Sequence, residues 1–282
     1  MSLGKQRIKE EKLDSNPDYK FIFFNVGQGD ATLMCYLATK GCILVDVYKP
    51  EPVLEEIKNS DLTLEAVFIS HWDEDHVKGL PGILENQIQL EGQIILGINR
   101  QIKKTDVSKN FTQKIDEAIE EGIIIKGNDT VPLLKGYKTI PNIEGFEIQV
   151  LWPPNFQMLK DSDVNKDSVI LKVATKGKCT LLLPGDASGD CWEKIESEAL
   201  HTVIFKFPHH GGNIGKKISA KKLINSVNPK KVVVSYGKGN KHNHPNADYI
   251  QARNELSKDI DFYDTSESDV TIGYDSNLDS YI

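Results

Sequence analysis

The sequence lacks any apolar run approaching the roughly 18 to 20 residues that a membrane-spanning helix needs. Its N-terminus is polar and charged, without the apolar stretch of a signal peptide. The four cysteines, Cys35, Cys42, Cys179 and Cys191, include no CxxC pair, and a chain of 282 residues does not need disulfides for stability. We therefore predict a cytoplasmic protein with buried, reduced thiols and no membrane contact.

Aspartate and glutamate are absent from residues 201–243, although the whole chain has a net charge of −7. This segment contains nine lysines, so its formal charge is +9 and the rest of the chain carries −16. A local excess of lysine is typical of surfaces that bind phosphate groups. The alternative is a solvated, lysine-rich helix face, which we favour for residues 216–222. We expect Lys206, Lys238, Lys241 and His242 to contact substrate.

Most apolar segments are short, rich in β-branched and aromatic residues, and bounded by Gly, Asp or Pro, which predicts strands. They occur in both halves of the chain. Helices are predicted between them at 51–60, 110–122, 191–200, 216–227 and 246–258, the last with an asparagine cap. The pattern predicts an α/β fold in which two sheets pack face to face with helices outside. We expect a flexible lead over residues 1–19 and one domain over 20–282.

Histidine is absent between residues 76 and 201, yet four potential metal ligands lie within six residues: His71, Asp73, Asp75 and His76. They directly follow the apolar segment AVFIS. A strand that ends in polar residues presents them at a sheet edge, where a turn can arrange them around an ion. Imidazole and carboxylate together suit Zn²⁺, Mn²⁺ or iron. The alternative is a polar loop whose acids are incidental.

Three further segments have candidate ligands at the ends of apolar strands. These candidates are Asp186 in TLLLPGDAS, His209 and His210 in FKFPHHGG, and His242 and His244 in GKGNKHNHP. Six of the seven histidines therefore lie in or beside strand-end loops. His201 is the exception, and we predict that it lies at the surface.

The order of these motifs, with FFNVGQGDATLM and ILVDV before them and FYDT after them, resembles the metallo-β-lactamase superfamily and, within it, the ComEC-like branch. The resemblance covers residues 20–275 and implies a four-layer αββα sandwich with a two-metal site at one edge. It implies that His71 and Asp73 bind one ion, that Asp75 and His76 bind the second, and that Asp186 bridges them. A histidine of HHGG (His209 or His210) or of NHP (His244) would complete the second site.

The chain departs from the superfamily pattern at two places. It has no histidine for the motif that often lies between the first motif and the bridging aspartate, so we expect fewer ligands for the first ion. Gly212 stands where the superfamily has a serine. Asp30 in GQGD is predicted to brace the floor of the site, and Asp46 to support a ligating histidine. Asp73 in place of histidine favours Mn²⁺ or Mg²⁺ relative to Zn²⁺.

These features favour a metal-dependent hydrolase in which two Zn²⁺ or Mn²⁺ ions, with Mg²⁺ as an alternative, activate a bridging hydroxide. The favoured substrate is a phosphodiester, either nucleic acid or a small molecule. Asp75, His210 and His244 are the candidate catalytic residues, and a histidine that binds no metal would act as general acid. Two alternatives stay open: a hydrolase of a small ester, lactone or β-lactam, and a non-catalytic module stabilised by metal.

Overall fold

The computed structural model describes residues 17–85, 90–96, 143–154, 165, 168–189 and 191–281, with only the backbone described at 90–96. The helix predicted at 110–122 and most of the predicted N-terminal lead lie outside these residues. The first strand begins at Tyr19, one residue before the predicted start of the domain.

The first sheet contains seven strands among the described residues. They are β1 Tyr19–Phe23, β2 Ala31–Tyr36, β3 Gly41–Val47, β4 Thr63–Ile69, β5 Leu90–Leu96, β12 Val270–Asp275 and β13 Ser280–Tyr281, in the order β13-β12-β1-β2-β3-β4-β5. Strands β3, β4 and β5 are parallel, and the other pairs are antiparallel. Because β12 pairs with β1, with Tyr274 opposite Tyr19, segments distant in sequence share one sheet.

The second sheet contains six described strands. They are β6 Phe146–Trp152, β7 Ile170–Thr175, β8 Thr180–Leu183, β9 Ile204–Lys206, β10 Lys231–Val234 and β11 Asp261–Asp264, in the order β11-β10-β9-β8-β7-β6. Strands β6, β7 and β8 form an antiparallel meander, and β8 to β11 run parallel. The change to parallel pairing requires crossover connections, which is where the helices of this half occur.

An apolar core rich in aromatic side chains lies between the two sheets. Phe21 and Phe68 of the first sheet and Leu181 of the second are all 1% exposed or less in this core. The neighbouring residue Leu182 contacts a separate apolar cluster on the outer face of the second sheet. Successive side chains of a strand point to opposite faces, so even a short strand such as β8 contributes to two layers of the core.

Helices cover the outer face of each sheet. Those on the first sheet are α1 Glu51–Asn59, α2 Glu74–Val77 and α3 Leu80–Glu85, and those on the second are α4 Cys191–Lys194, α5 Ser197–Leu200, α6 Ala220–Val227 and α7 Ala247–Leu256. The four layers confirm the predicted αββα sandwich. The Asn246 side chain caps α7 by accepting a hydrogen bond from Tyr249 N at 2.9 Å, as predicted. Among the described residues, no helix is both long enough and apolar enough to cross a bilayer.

Two predicted helices are shorter than expected. The helix predicted at 191–200 is divided into α4 and α5, because Glu196 has an extended ψ of 135°. This bend allows Ile195 and Leu200 to be buried in the same core. The helix predicted from residue 216 begins only at Ala220, where Ser219 caps it by accepting a hydrogen bond from Lys222 N.

The four cysteines are buried free thiols, as predicted. Burial raises the pKa of Cys35 and of Cys179 to about 12, so both thiols are protonated at neutral pH. They contribute to the core as small apolar side chains rather than as reactive groups.

Polar residues at or just after the ends of five strands lie at one edge of the sandwich. Asp46 lies at the end of β3, His71 follows β4, Asp186 follows β8, His209 follows β9 and Ser235 follows β10. The carboxyl ends of parallel strands are where open α/β sheets form their binding crevices. The fold therefore brings together residues that are up to 189 positions apart in sequence.

Leu181 and Leu278 provide a matched test of the inter-sheet core. We expect Leu181→Ala to lower the free energy of unfolding by about 2–5 kcal/mol, because the sheets cannot close fully around the lost volume. Leu278 is 56% exposed, so Leu278→Ala should change it by no more than about 0.5 kcal/mol. Urea denaturation followed by tryptophan fluorescence measures both values. Equal losses in the two variants would contradict this account of the core.

Candidate metal centre

The carboxylate of Asp186 lies at the centre of the polar edge. It is 3% exposed and follows β8 after Gly185, and its backbone N–H donates to Ser168 Oγ at 3.2 Å. Gly185 has φ of +55°, and a Cβ there would lie 2.5 Å from Ser70 Oγ. The PGD turn therefore requires glycine both for its backbone conformation and for the close approach of the strand that carries His71.

The first oxygen of Asp186 faces two buried histidines and one acid. Oδ1 lies 3.1 Å from His76 Nε2 and 3.6 Å from His210 Nε2. Asp75 joins this group, since its Oδ2 is 3.3 Å from His210 Nε2. These three residues and one oxygen of Asp186 form one side of the centre.

The second oxygen of Asp186 faces the opposite side. Oδ2 lies 3.9 Å from His71 Nε2 and 4.0 Å from His209 Nε2. Asp73 Oδ2 is 3.8 Å from the same nitrogen of His71. The two adjacent histidines of HHGG thus face different oxygens of one carboxylate. His209 has φ of +53°, as does His210, and this backbone turn separates the two rings.

Exposure divides the centre into a closed side and an open face. The side chains of His71, His76 and His210 are 0–1% exposed. The side chains of Asp73 and Asp75 are 42% and 33% exposed, and that of His209 is 23% exposed. A molecule arriving from solvent would meet the acids and His209 first.

Asp46 organises two of the histidines from behind. Its Oδ2 accepts from His76 Nδ1 at 2.8 Å and from the Ser70 hydroxyl at 2.8 Å, and its Oδ1 accepts from Ser70 N. Because the Ser70 hydroxyl donates to Asp46, its oxygen accepts from His71 Nδ1 at 3.0 Å. Both rings therefore have the proton on Nδ1 and an Nε2 lone pair that faces the centre.

The histidines of HHGG have the same tautomer, set by backbone carbonyls. His209 Nδ1 donates to Asn213 O at 2.9 Å, and His210 Nδ1 donates to Ser235 O at 3.0 Å. A carbonyl oxygen can only accept, so each neutral ring carries its proton on Nδ1 and a lone pair on Nε2. Four histidines thus direct lone pairs toward one buried carboxylate.

Buried ligand atoms in this centre lack hydrogen bonds of good geometry among the described residues. They are Nε2 of His71, His76 and His210, and Oδ1 of Asp186. His76 Nε2 is 3.1 Å from Asp186 Oδ1, but with the ring proton on Nδ1 both atoms are acceptors, so no hydrogen bond joins them. A buried polar atom left unsatisfied costs about 1–3 kcal/mol. A bound cation would satisfy all four, so the donor set fits a metal.

The pKa shifts show how strongly the charged groups of the centre interact. Burial favours the neutral carboxyl of Asp186, but His76 and His210 outweigh it and hold its pKa well below the usual value. Burial likewise disfavours a charged His76, but Asp186 and Asp46 raise its pKa well above the usual value. Burial raises the pKa of Asp75, but His210 and His76 together outweigh it and lower that pKa below its usual value. The pKa of Asp186 and that of His76 thus shift in opposite directions, each toward the charged form, because the two groups face each other.

Asp30 lies behind the histidines, paired with Lys206. Its carboxylate is 3.7 Å from His76 Nδ1 and 3.8 Å from His210 Nδ1, on the side of the rings away from Asp186 Oδ1. Asp30, His76, Asp186 and His210 each have one ligand atom within 4.8 Å of the others. Because Asp30 approaches the Nδ1 side, its position matches the predicted bracing role.

Lys206 requires a correction. It was expected to contact substrate, but the residue is 4% exposed and its Nζ forms a short ion pair with Asp30 Oδ2. As part of β9 it points inward, because alternate residues of a strand face opposite sides and this side faces the centre. Lys206 is therefore an internal counter-ion and does not reach solvent.

His244 lies beside the centre over the backbone of HHGG. Its ring centroid is 5.3 Å from that of His209 and 6.3 Å from that of His210. A Cβ at Gly212 would lie 2.5 Å from His244 Nε2, so the glycine provides the space that this ring occupies. Burial, followed by the proximity of His209 and His210, lowers the pKa of His244 to about 4, so the ring is neutral at physiological pH. His242 is exposed, 5.7 Å from His244.

The acid-free segment is largely neutralised by acids from elsewhere in the chain. Five of its nine lysines form ion pairs: Lys206 with Asp30, Lys217 with Glu193, Lys221 with Glu255, Lys231 with Asp261 and Lys238 with Glu267. Lys216, Lys222, Lys230 and Lys241 have no carboxylate partner within 4.0 Å among the described residues. The positive surface expected from the sequence is therefore weaker in the folded chain.

Three residues of the site were not anticipated from the sequence. Ser70 orients His71, Gln28 contacts His244 Nδ1 at 3.2 Å, and Asn165 Nδ2 lies 3.4 Å from His209 Nε2. Ser70 directly precedes the ligand motif and Gln28 lies inside GQGD, so their positions in those motifs were the available signals. Asn165 is distant from every motif in sequence, and only the fold brings it near.

Comparisons with known proteins relate this chain to others both by sequence and by fold. No family model matches the chain. It is 23% identical to ComE operon protein 3 of Bacillus subtilis over 259 residues, which cover 80% of this chain but 29% of that protein. A shorter match, 38% identical over 45 residues, covers 16% of this chain and 18% of the hydroxyacylglutathione hydrolase of Vibrio parahaemolyticus. The chain thus spans less than a third of the length of either protein.

Solved structures share nearly the whole architecture. YhfI of Bacillus subtilis, described as a metallo-β-lactamase fold protein, superimposes with a TM-score of 0.53 at 12% identity, covering 90% of this chain and 99% of that one. An isothiocyanate hydrolase from Delia radicum gut bacteria also gives 0.53 at 11% identity, covering 91% and 99%. A diphosphatase of the PhnP family gives 0.50 at 10% identity, covering 92% and 98%. The shared architecture does not select among such different substrates.

Asp46→Ala tests the support behind the ligand atoms. Loss of this partner should weaken Zn²⁺ or Mn²⁺ binding about 10- to 100-fold, because His71 and His76 would lose the contacts that orient them. Isothermal titration of the chelator-treated protein measures the affinity. Asp61→Ala is the matched control, since the Asp61 side chain is 85% exposed and pairs only with Lys40 among the described residues. Equal affinities in the two variants would show that Asp46 does not support the centre.

Proposed function

We propose that this chain, which has the metallo-β-lactamase fold, is a hydrolase that works with two divalent metal ions. The observation that carries the proposal is the convergence of four histidine Nε2 atoms and two partly exposed acids on the buried Asp186 carboxylate. A purely structural metal would not need an open face. Here Asp73, Asp75 and His209 leave one side of the centre accessible to a substrate.

Each oxygen of Asp186 defines one ion position in this proposal. Asp75, His76 and His210 would hold the ion at Oδ1, and His71, Asp73 and His209 would hold the ion at Oδ2. His209 thus supplies the third ligand that the missing histidine motif would otherwise provide. In this proposal the first ion would have His71, Asp73 and His209 as ligands beside Asp186.

The charge balance supports two divalent ions. The centre contains five carboxylates, Asp30, Asp46, Asp73, Asp75 and Asp186, and one ammonium, Lys206. With neutral histidines this leaves four negative charges, which two divalent cations would neutralise. Such a cluster is costly to bury without compensating charge.

The donor set suits several metals. Four imidazoles favour Zn²⁺, and the three facing carboxylates add hard oxygen ligands that suit Mn²⁺, with Mg²⁺ as an alternative. Bound ions of this kind lower the pKa of water and polarise the oxygen of a scissile group. The chain itself fixes the ligands through Asp46, Ser70 and two backbone carbonyls. It also keeps the closed side dry, because His71, His76 and His210 are buried.

We propose a phosphodiester as the substrate class. A pair of metal ions stabilises both the attacking and leaving oxygens of a phosphoryl displacement. One similar structure is a diphosphatase, which shows phosphate chemistry on this architecture. Lys241 and His242 are exposed on the loop that carries His244, where they could contact phosphate oxygens. Lys238 is exposed but paired with Glu267 at 2.5 Å, so that ion pair would have to open for phosphate contact.

A second candidate is a hydrolase of a small ester, lactone or β-lactam. The specific observation in its favour is the neutralised lysine segment, because five of nine lysines pair with acids. A small uncharged substrate would not need that positive surface. The isothiocyanate hydrolase shows that non-phosphate substrates are used on this architecture.

A substrate panel tests the proposal. Protein loaded with Mn²⁺ or Zn²⁺ is incubated with bis-nitrophenyl phosphate, single- and double-stranded DNA, RNA, and chromogenic lactone and lactam. We expect phosphodiester cleavage, and a loss of at least about 100-fold in kcat/KM for Asp186→Asn and Asp75→Ala, exceeding the usual effect of losing an outer-shell partner. His201→Ala, which changes an exposed histidine, should retain full activity.

The panel also separates the alternatives. Faster turnover of lactone or lactam than of phosphodiester would establish the second candidate. Bound metal without turnover of any substrate would support a structural metal. Cleavage that is unchanged in Asp186→Asn would show that the activity does not arise at this centre.

A further inference from the structure

Gln28 connects two loops at the rim of the metal centre. Its side-chain Oε1 accepts from Gly237 N at 3.2 Å, and its Nε2 lies 3.2 Å from His244 Nδ1. A backbone N–H can only donate, so the amide oxygen must face Gly237. The amide NH₂ is therefore the group that faces His244.

This orientation determines the tautomer of His244. An amide NH₂ can only donate, so Nδ1 of His244 accepts and carries no proton. The ring is then neutral, with its single proton on Nε2. His71, His76, His209 and His210 have the opposite arrangement, with the proton on Nδ1. His244 is thus the one histidine at the centre that presents an N–H donor instead of a lone pair.

The surrounding loop holds His244 in place. Asn240 Oδ1 accepts from His244 N at 3.0 Å and from His242 N at 3.1 Å, and Asn240 Nδ2 donates to His244 O at 2.6 Å. The Nε2–Cε1 edge of the ring occupies the space that a Cβ at Gly212 would fill. The backbone of the loop and the missing side chain at 212 together determine where the ring lies.

We propose that Gln28 is a positioning residue that holds His244 as an Nε2–H donor to an oxygen of the bound substrate. His244 then acts on substrate and is not a metal ligand. The inference deepens the proposed function and rests on it for the identity of the acceptor, a phosphoryl or carbonyl oxygen. It makes Gln28 a residue of the active site, although Gln28 lies far from the ligand motifs in sequence.

Metal binding by His244 would conflict with this network. Ligation through Nε2 needs the proton on Nδ1, where it would face the donating NH₂ of Gln28. Rotation of the amide would relieve that clash, but it would place NH₂ against Gly237 N–H. In either arrangement two N–H donors face each other. By contrast, each of the four histidines that are candidate ligands has a hydrogen-bond acceptor at Nδ1.

The tautomer can be read directly by long-range ¹H–¹⁵N NMR of the labelled full-length chain, with His244→Ala used to assign the signals. We expect the His244 pattern to show Nε2–H in the metal-free protein and to stay unchanged when Zn²⁺ is added. The signals of His71, His76, His209 and His210 should change. A Zn²⁺-induced change of His244 to a metal-bound Nε2 would overturn the proposal.

Gln28→Glu tests the positioning role. A carboxylate still accepts from Gly237 N, but it would also accept from His244 Nδ1, so the His244 proton should move to Nδ1 and leave Nε2 without a hydrogen. We expect kcat to fall about 10- to 100-fold with Zn²⁺ affinity unchanged. Gln251→Glu is the matched control, since Gln251 is exposed on α7 and should leave both the spectrum and kcat unchanged.

The outcomes distinguish this inference from the proposed function. An unchanged His244 tautomer in Gln28→Glu would overturn the role of Gln28, whatever the activity. Equal changes in kcat for Gln28→Glu and Gln251→Glu would do the same. If the wild-type chain hydrolysed nothing, the spectra would still show whether Gln28 sets the tautomer, and only the role toward substrate would fail with the proposed function.

Discussion

The structure depends on placing one carboxylate, Asp186, in a buried position where two sheets meet. A buried carboxylate needs nearby positive charge or several hydrogen-bond donors. Here its surroundings are four imidazoles that present nitrogen lone pairs when neutral, and although burial opposes charge on the rings, Asp186 contributes to raising the pKa of His76 and of His210. The same concentration of imidazoles and carboxylates makes the centre suitable for cations. The strands, turns and supporting acids around it serve to hold that arrangement.

A set of paired groups behind the rings makes the arrangement possible. Asp46 and Ser70 orient two histidines, backbone carbonyls orient two more, and Asp30 shares its charge with Lys206. Each partner lies on the Nδ1 side of the rings, so the Nε2 atoms face inward. The supporting groups come from both sheets, so a correctly closed sandwich is required before any ligand set exists. Stability and the metal centre are thus coupled through the same contacts.

The lysine-rich segment shows why charge must be judged in three dimensions. Along the sequence it has nine lysines and no acid, which favours a phosphate-binding surface. In the folded chain, acids from α4, α7, β11, the loop after β11 and the turn before β2 pair with five of those lysines. Exposed ion pairs contribute little to stability, but they reduce the local potential that a phosphate would encounter. The proposal of a phosphodiester substrate therefore rests on the proposed pair of ions rather than on a basic surface.

The motif resemblance predicted the αββα class. Apolar segments that end in His or Asp are local patterns, from which the sequence also predicted two packed sheets with helices outside and the principal ligand candidates. It could not determine the partner of Lys206, the separation of His209 from His210, or the tautomer of His244. These features depend on contacts between residues as distant as Asp30 and Lys206, or Gln28 and Gly237, which only the tertiary structure brings within hydrogen-bonding distance. Residue types are visible in a sequence, but the direction of a side chain and the location of its proton are set by the neighbours that folding provides.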